Sequence, residues 1–89
     1  DVNSLMIEQK IVLKTLADVR EFVAGASEKN YDIELLSGKY IVNAKSVMGV
    51  LSLDLTAPLT MVANVDEDNA LLEQVEKFKY VPPKQHATV

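Results

Sequence analysis

The stretch Asn43-Ala44-Lys45-Ser46-Val47-Met48-Gly49-Val50-Leu51-Ser52-Leu53-Asp54-Leu55 decides the reading of this chain. Ser46 stands directly before an apolar run. Its hydroxyl can accept one of the free backbone N–H groups at a helix start, so the spacing predicts a short, capped, largely apolar helix that can lie exposed on a small domain. Upstream, residues 31–36 and 40–42 bracket Ser37-Gly38-Lys39, which reads as strand, tight turn and strand. Downstream, Thr56-Ala57-Pro58 is a loop and residues 59–65 form a strand buried on at least one face.

The flanks complete the pattern. Residues 6–15 alternate loosely, with Met6, Ile11 and Leu13 set against Glu8, Lys10 and Lys14, and predict a first strand. Thr15 and Asp18 have the spacing of a capping box, and Val19, Phe22, Val23 and Ala26 then give one apolar helical face. Asn30 is the expected helix end. Asp66, Glu67 and Asp68 place negative charge on the first turn of a last helix, where the helix dipole favours it. Ala70, Leu71, Gln74, Val75 and Phe78 make that helix's inward stripe. Val81-Pro82-Pro83 ends it. The order strand, helix, strand, strand, short helix, strand, helix predicts an α+β open-faced sandwich: a four-stranded antiparallel sheet with its helices on one face and the other face wet.

Composition bounds what such a domain can do. The chain has 89 residues, 48% hydrophobic and 25% charged, with net charge −4. That is one domain; a chain of this size buries only about 60–65% of its unfolded surface. The acidic balance argues against general binding to nucleic acid, which needs clustered Lys and Arg. With no cysteine there is neither a disulfide scaffold nor a thiolate metal site. No apolar run approaches the roughly 20 residues that cross a bilayer, and the N-terminus is unlike a secretory signal, so a cytoplasmic protein is expected. The domain is expected over residues 6–80, with Met6 a candidate start, 1–5 a leader and 81–89 a frayed tail.

The segment also resembles a known family. Asp32-Ile33, Gly38-Lys39, Val42-Asn43, Lys45-Ser46, Met48-Gly49-Val50 and Ser52-Leu53 match residue types of HPr, the histidine-containing phosphocarrier of the bacterial sugar phosphotransferase system, without a gap from about Asp32 to Leu55. Pattern-level similarity extends to the first and last helices. The resemblance implies the HPr fold (βαββαβα), a regulatory phosphorylation site at Ser46, and a partner-docking patch at Val47, Met48, Leu51 and Leu53 rimmed by Lys45 and Asp54. The family's phosphorylated histidine, followed by alanine, arginine and proline, has no counterpart: counting back from Asp32, Thr15 falls on the histidine and Asp18 on the proline, and Arg20 is out of register. The loop between the first strand and helix is also several residues short. Phosphoryl carriage needs a nucleophile with groups that hold the phosphate, and a hydroxyl without a base is a poor one. The resemblance thus implies the family's surface without its reaction, as in the histidine-lacking catabolite-repression homologue.

Each candidate has a plainer reading beside the functional one. Ser46 is either a helix cap or a phosphoserine that would sit at a helix N-terminus. The Val47, Met48, Leu51 and Leu53 set is either core or a docking patch, to which methionine is suited by its adaptability. Asp66, Glu67 and Asp68 read as dipole compensation rather than a metal site, because the alternation of a calcium loop is absent. Thr15 with Asp18 reads as a cap rather than a phosphoacceptor. His86, the only histidine, reads as a surface bystander in the tail. Neither a catalytic residue, a metal nor a cofactor is expected.

The preferred expectation is therefore a regulatory or docking protein in sugar transport and carbon catabolite repression. It would be modified on Ser46 by HPr kinase/phosphorylase and bind a transcriptional regulator or another phosphotransferase-system protein. The alternatives are a phosphotransfer component that takes its phosphoryl group from Enzyme I at a non-histidine residue, and a structural or oligomerising module whose long first strand pairs edge to edge with a second copy.

Overall fold

The computed structural model describes residues 6–83; residues 1–5, expected as a leader, most of the expected tail and His86 lie outside the described residues. The element order is β1 (Ile7–Ile11), α1 (Leu16–Ser27), β2 (Ile33–Ser37), β3 (Tyr40–Asn43), α2 (Val47–Leu51), β4 (Leu59–Ala63) and α3 (Asn69–Val75), followed by a 3₁₀ turn over Glu76–Phe78. The four strands form one antiparallel sheet in the order β1-β4-β2-β3. The expected α+β open-faced sandwich is the observed fold.

Strand alternation divides the sheet. Ile11 of β1, Leu59, Met61 and Ala63 of β4, and Ile33 and Leu35 of β2 are buried together with Val19, Phe22, Val23 and Ala26 of α1, Val50 of α2 and Leu71 and Val75 of α3. The opposite face carries Glu8, Lys10, Thr60, Val62, Glu34, Leu36, Ile41 and Asn43 and has no helix on it among the described residues. β4 and β2 are the two inner strands, each with neighbours on both sides.

Several boundaries differ from expectation, for local reasons. β1 is short, because Lys14 already turns into the α1 cap. Met6 belongs with Glu8 and Lys10 on the outer side and is half-exposed. α1 ends at Ser27, with Glu28 rather than Asn30 as its C-cap. Only Asp68 of the acidic trio caps α3, accepting from the Leu71 N–H at 3.2 Å; Asp66 and Glu67 precede the helix. Ala70 and Gln74 are exposed, so the buried stripe is Leu71, Val75 and Phe78. α3 stops well before Pro82. Its chain tightens through the 3₁₀ turn and then runs extended beside β1, where the Val12 N–H donates to Phe78 O at 2.7 Å and the Tyr80 N–H to Lys10 O at 2.9 Å.

The turn between β2 and β3 closes on the pair Ser37 and Tyr40, leaving Gly38 and Lys39 as its two central residues. Gly38 has φ +60° and Lys39 a negative φ, the requirement of a type II′ hairpin. Among the described residues no helix is long and apolar enough to cross a membrane.

Candidate functional site: the capped helix α2 and its surroundings

Ser46 adopts extended backbone (φ −114°, ψ 113°), and its Oγ accepts from the Gly49 N–H at 3.0 Å. The chain reaches this cap through Asn43, whose Oδ1 accepts from the Lys45 N–H at 2.9 Å and whose carbonyl accepts from the Ser46 N–H at 3.1 Å. Gly49 lies tight against the cap. A Cβ there would come within 3.3 Å of Ser46 Oγ and 3.4 Å of the Val42 side chain, so the glycine seats the helix against β3. At the other end the Ser52 hydroxyl donates to Gly49 O at 2.6 Å, closing the last turn. Replacing Ser46 with Ala is expected to cost about 1 kcal/mol of stability through the lost cap, read by thermal denaturation.

The predicted patch divides under the structure. Met48 is 81% exposed and Leu51 44% exposed, with Val47 half-buried beside them against the core. Leu53 does not join the patch: it is 9% exposed and packs in the core, because the chain turns inward after Ser52. Lys45 is turned away from a rim role as well. Its Nζ donates to Lys29 O at 2.8 Å, part-buried, and so ties the segment before α2 to the chain leaving α1. Asp54 remains exposed, and its carboxyl is held below the usual range by bonds from the Thr56 hydroxyl and N–H.

Thr15 is an exposed N-cap of α1. Its Oγ1 accepts from the Asp18 N–H at 3.0 Å, while Asp18 Oδ2 accepts from the Lys14 N–H at 2.9 Å. The carboxylate reaches one residue beyond the reciprocal bond of a regular capping box. It takes up the Lys14 N–H and places a negative charge where a phosphate at this helix start would sit. Arg20 points from the exposed side of α1 and makes no hydrogen bond or ion pair among the described residues.

A second cluster, not foreseen from the spacing, joins three elements. The Tyr31 hydroxyl donates to Asp68 Oδ2 at 2.8 Å, and Lys29 Nζ stands 3.5 Å from the same oxygen. These residues are 37 positions apart in the chain at the Tyr31–Asp68 bond, so local pattern carries no signal of the contact. The Tyr31 and Leu71 bonds, aided by Lys29, hold the Asp68 carboxyl below its usual 3.8. Burial, then the Asp68 bond and charge, push the Tyr31 hydroxyl up to about 12 from 10.0.

The depressed carboxyl contributes stability that is present above pH 3.8 and lost as pH falls through its folded value. The raised phenol contributes stability present below pH 10.0 and lost as pH rises towards about 12. Asp68→Asn is expected to remove the acid-limb contribution and return Tyr31 titration towards its ordinary value, seen by NMR and ultraviolet pH titration. No group of three or more metal-ligating side chains that could hold a metal ion occurs among the described residues.

No family model and no curated protein matches the sequence. Solved structures do match. The crystal structure of HPr-C-His from Thermoanaerobacter tengcongensis superposes with a TM-score of 0.64 at 26% identity, covering 81% of this chain and 86% of that one. The phosphocarrier protein HPr from Bacillus anthracis str. Ames superposes with a TM-score of 0.62 at 22% identity, covering 83% of this chain and 98% of that one. The four-stranded antiparallel sheet with its three helices and these superpositions give the chain the HPr-like fold.

Proposed function

We propose that this HPr-like domain is a regulatory docking protein that works without phosphocarrier chemistry, through α2. One observation carries the reading: α2 holds a capped serine directly beside Met48, the most exposed large apolar side chain among the described residues. An apolar side chain that open, with Leu51 and Val47 beside it, is costly to leave in water and suits transient docking. Ser46 would be the switch. A phosphate on its Oγ stands where backbone N–H groups and the helix dipole favour negative charge, so modification leaves the helix folded and changes the charge of the patch. The partner would be HPr kinase/phosphorylase for modification, and a regulator of carbon use or another phosphotransferase-system protein for binding.

Thr15 is set aside as a phosphoacceptor because its hydroxyl is engaged as a cap and the acid beside it, Asp18, is held by the Lys14 N–H. The test is intact mass after incubation with HPr kinase and ATP, and separately with Enzyme I and phosphoenolpyruvate. One phosphate added by the kinase alone, and absent in Ser46→Ala, is the expected result. An adduct formed with Enzyme I, or none in either reaction, would overturn the proposal.

A further inference from the structure

The two edges of the sheet are finished differently. The C-terminal end of the β1 edge is covered by the extended segment after Phe78, through the bonds at Val12 and Lys10, and the strand carries Glu8 and Lys10. This occupies one end of the edge on which pairing through the first strand would depend. β3, the other edge, reads Tyr-Ile-Val-Asn, with neither a charge nor a proline to discourage pairing. Tyr40 is 66% and Ile41 59% exposed.

Register shows which backbone groups are free. The Ala44 N–H donates to Ile33 O, so even-numbered positions of β3 face β2. Ile41 therefore turns both its N–H and its C=O outward, and Asn43 its N–H.

We propose that β3 is an interface with a second copy of this chain: two β3 strands pair antiparallel about a two-fold axis at Ile41, joining two sheets into one. In that register Ile41 exchanges both backbone bonds with Ile41 of the second copy. Tyr40 falls opposite Val42 of the second copy, twice over, an aromatic and β-branched pair of the kind that stabilises sheets. Lys39 falls opposite Asn43 of the second copy, one strand from that copy's Glu34, because Glu34 pairs with Asn43 in the sheet. Charge thus complements across the axis. Moving the register so that Ile41 faces Asn43 would instead call on the Asn43 carbonyl, which already accepts the Ser46 N–H. A strand of four residues buries less than a permanent dimer needs, so the association is weak and concentration-dependent.

The test is sedimentation velocity of the full chain from about 10 μM to about 1 mM. The native protein is expected to pass from monomer to dimer over that range. Ile41→Lys and Ile41→Glu each set like charges across the axis and are expected to weaken the dimer at least about tenfold. Because Ile41 is exposed, both variants keep the native thermal midpoint. An equal mixture of Ile41→Lys and Ile41→Glu is expected to dimerise again. A native chain monomeric throughout, a variant as dimeric as the native chain, or a mixture that fails to recover would each overturn the proposal.

Discussion

Met48→Asp is expected to weaken docking through α2 by at least about thirtyfold, or about 2 kcal/mol, with little change in thermal stability. The asymmetry follows from exposure. A side chain that is 81% exposed contributes little to folding, and a carboxylate in its place keeps its water. On docking, the same position would be desolvated, and an unpaired charge there is penalised where methionine is adaptable. The measurement is kcat/KM for Ser46 phosphorylation by HPr kinase/phosphorylase, with thermal denaturation alongside. Leu53→Ala is the converse control. It removes a buried side chain, costs about 2–5 kcal/mol of stability, and makes no direct contact with a partner. A Met48→Asp protein phosphorylated as efficiently as the native chain would show that the patch is not the docking surface.

The largest effect on stability is expected from Phe78→Ala, about 3–5 kcal/mol. The ring is buried and meets Phe22 edge-on, with centroids 6.2 Å apart at 84°. Lys77 lies 5.7 Å from the same ring's centroid and pairs with Glu21 of α1, but both charges are exposed, so the pair adds little. The aromatic contact fixes α1 against the end of α3, and the Phe78 carbonyl accepts the Val12 N–H. Loss of the ring leaves a cavity between these elements and loosens the segment over the β1 edge. Chemical denaturation gives the free energy, and amide exchange at Val12 and Tyr80 should accelerate. Unchanged exchange there would show that backbone pairing alone holds the segment.

Much of this was legible in the residues. The periodicity of Val19, Phe22, Val23 and Ala26 placed the face of α1, because a helix must bury one stripe and its spacing shows in order along the chain. The Ser46 and Thr15 caps were legible for the same reason, since a cap bonds within three residues. The Gly38 turn followed from the need for a positive φ.

Contacts between distant residues were not legible. Leu53 and Leu51 are alike in type and two positions apart, yet one is core and the other surface, and only the turn after α2 separates them. Lys45 has the composition of a rim residue, but its reach to Lys29 O depends on how α1 and α2 pack. The Tyr31, Lys29 and Asp68 cluster and the cover over β1 need elements brought together from separate parts of the chain. By itself, then, the sequence determined the order and kind of the elements and the caps at their ends, because those bonds are local. Tertiary structure alone decided which apolar residues remain in water, which lysines are engaged and which sheet edge is open, because each depends on packing between segments that no local spacing encodes.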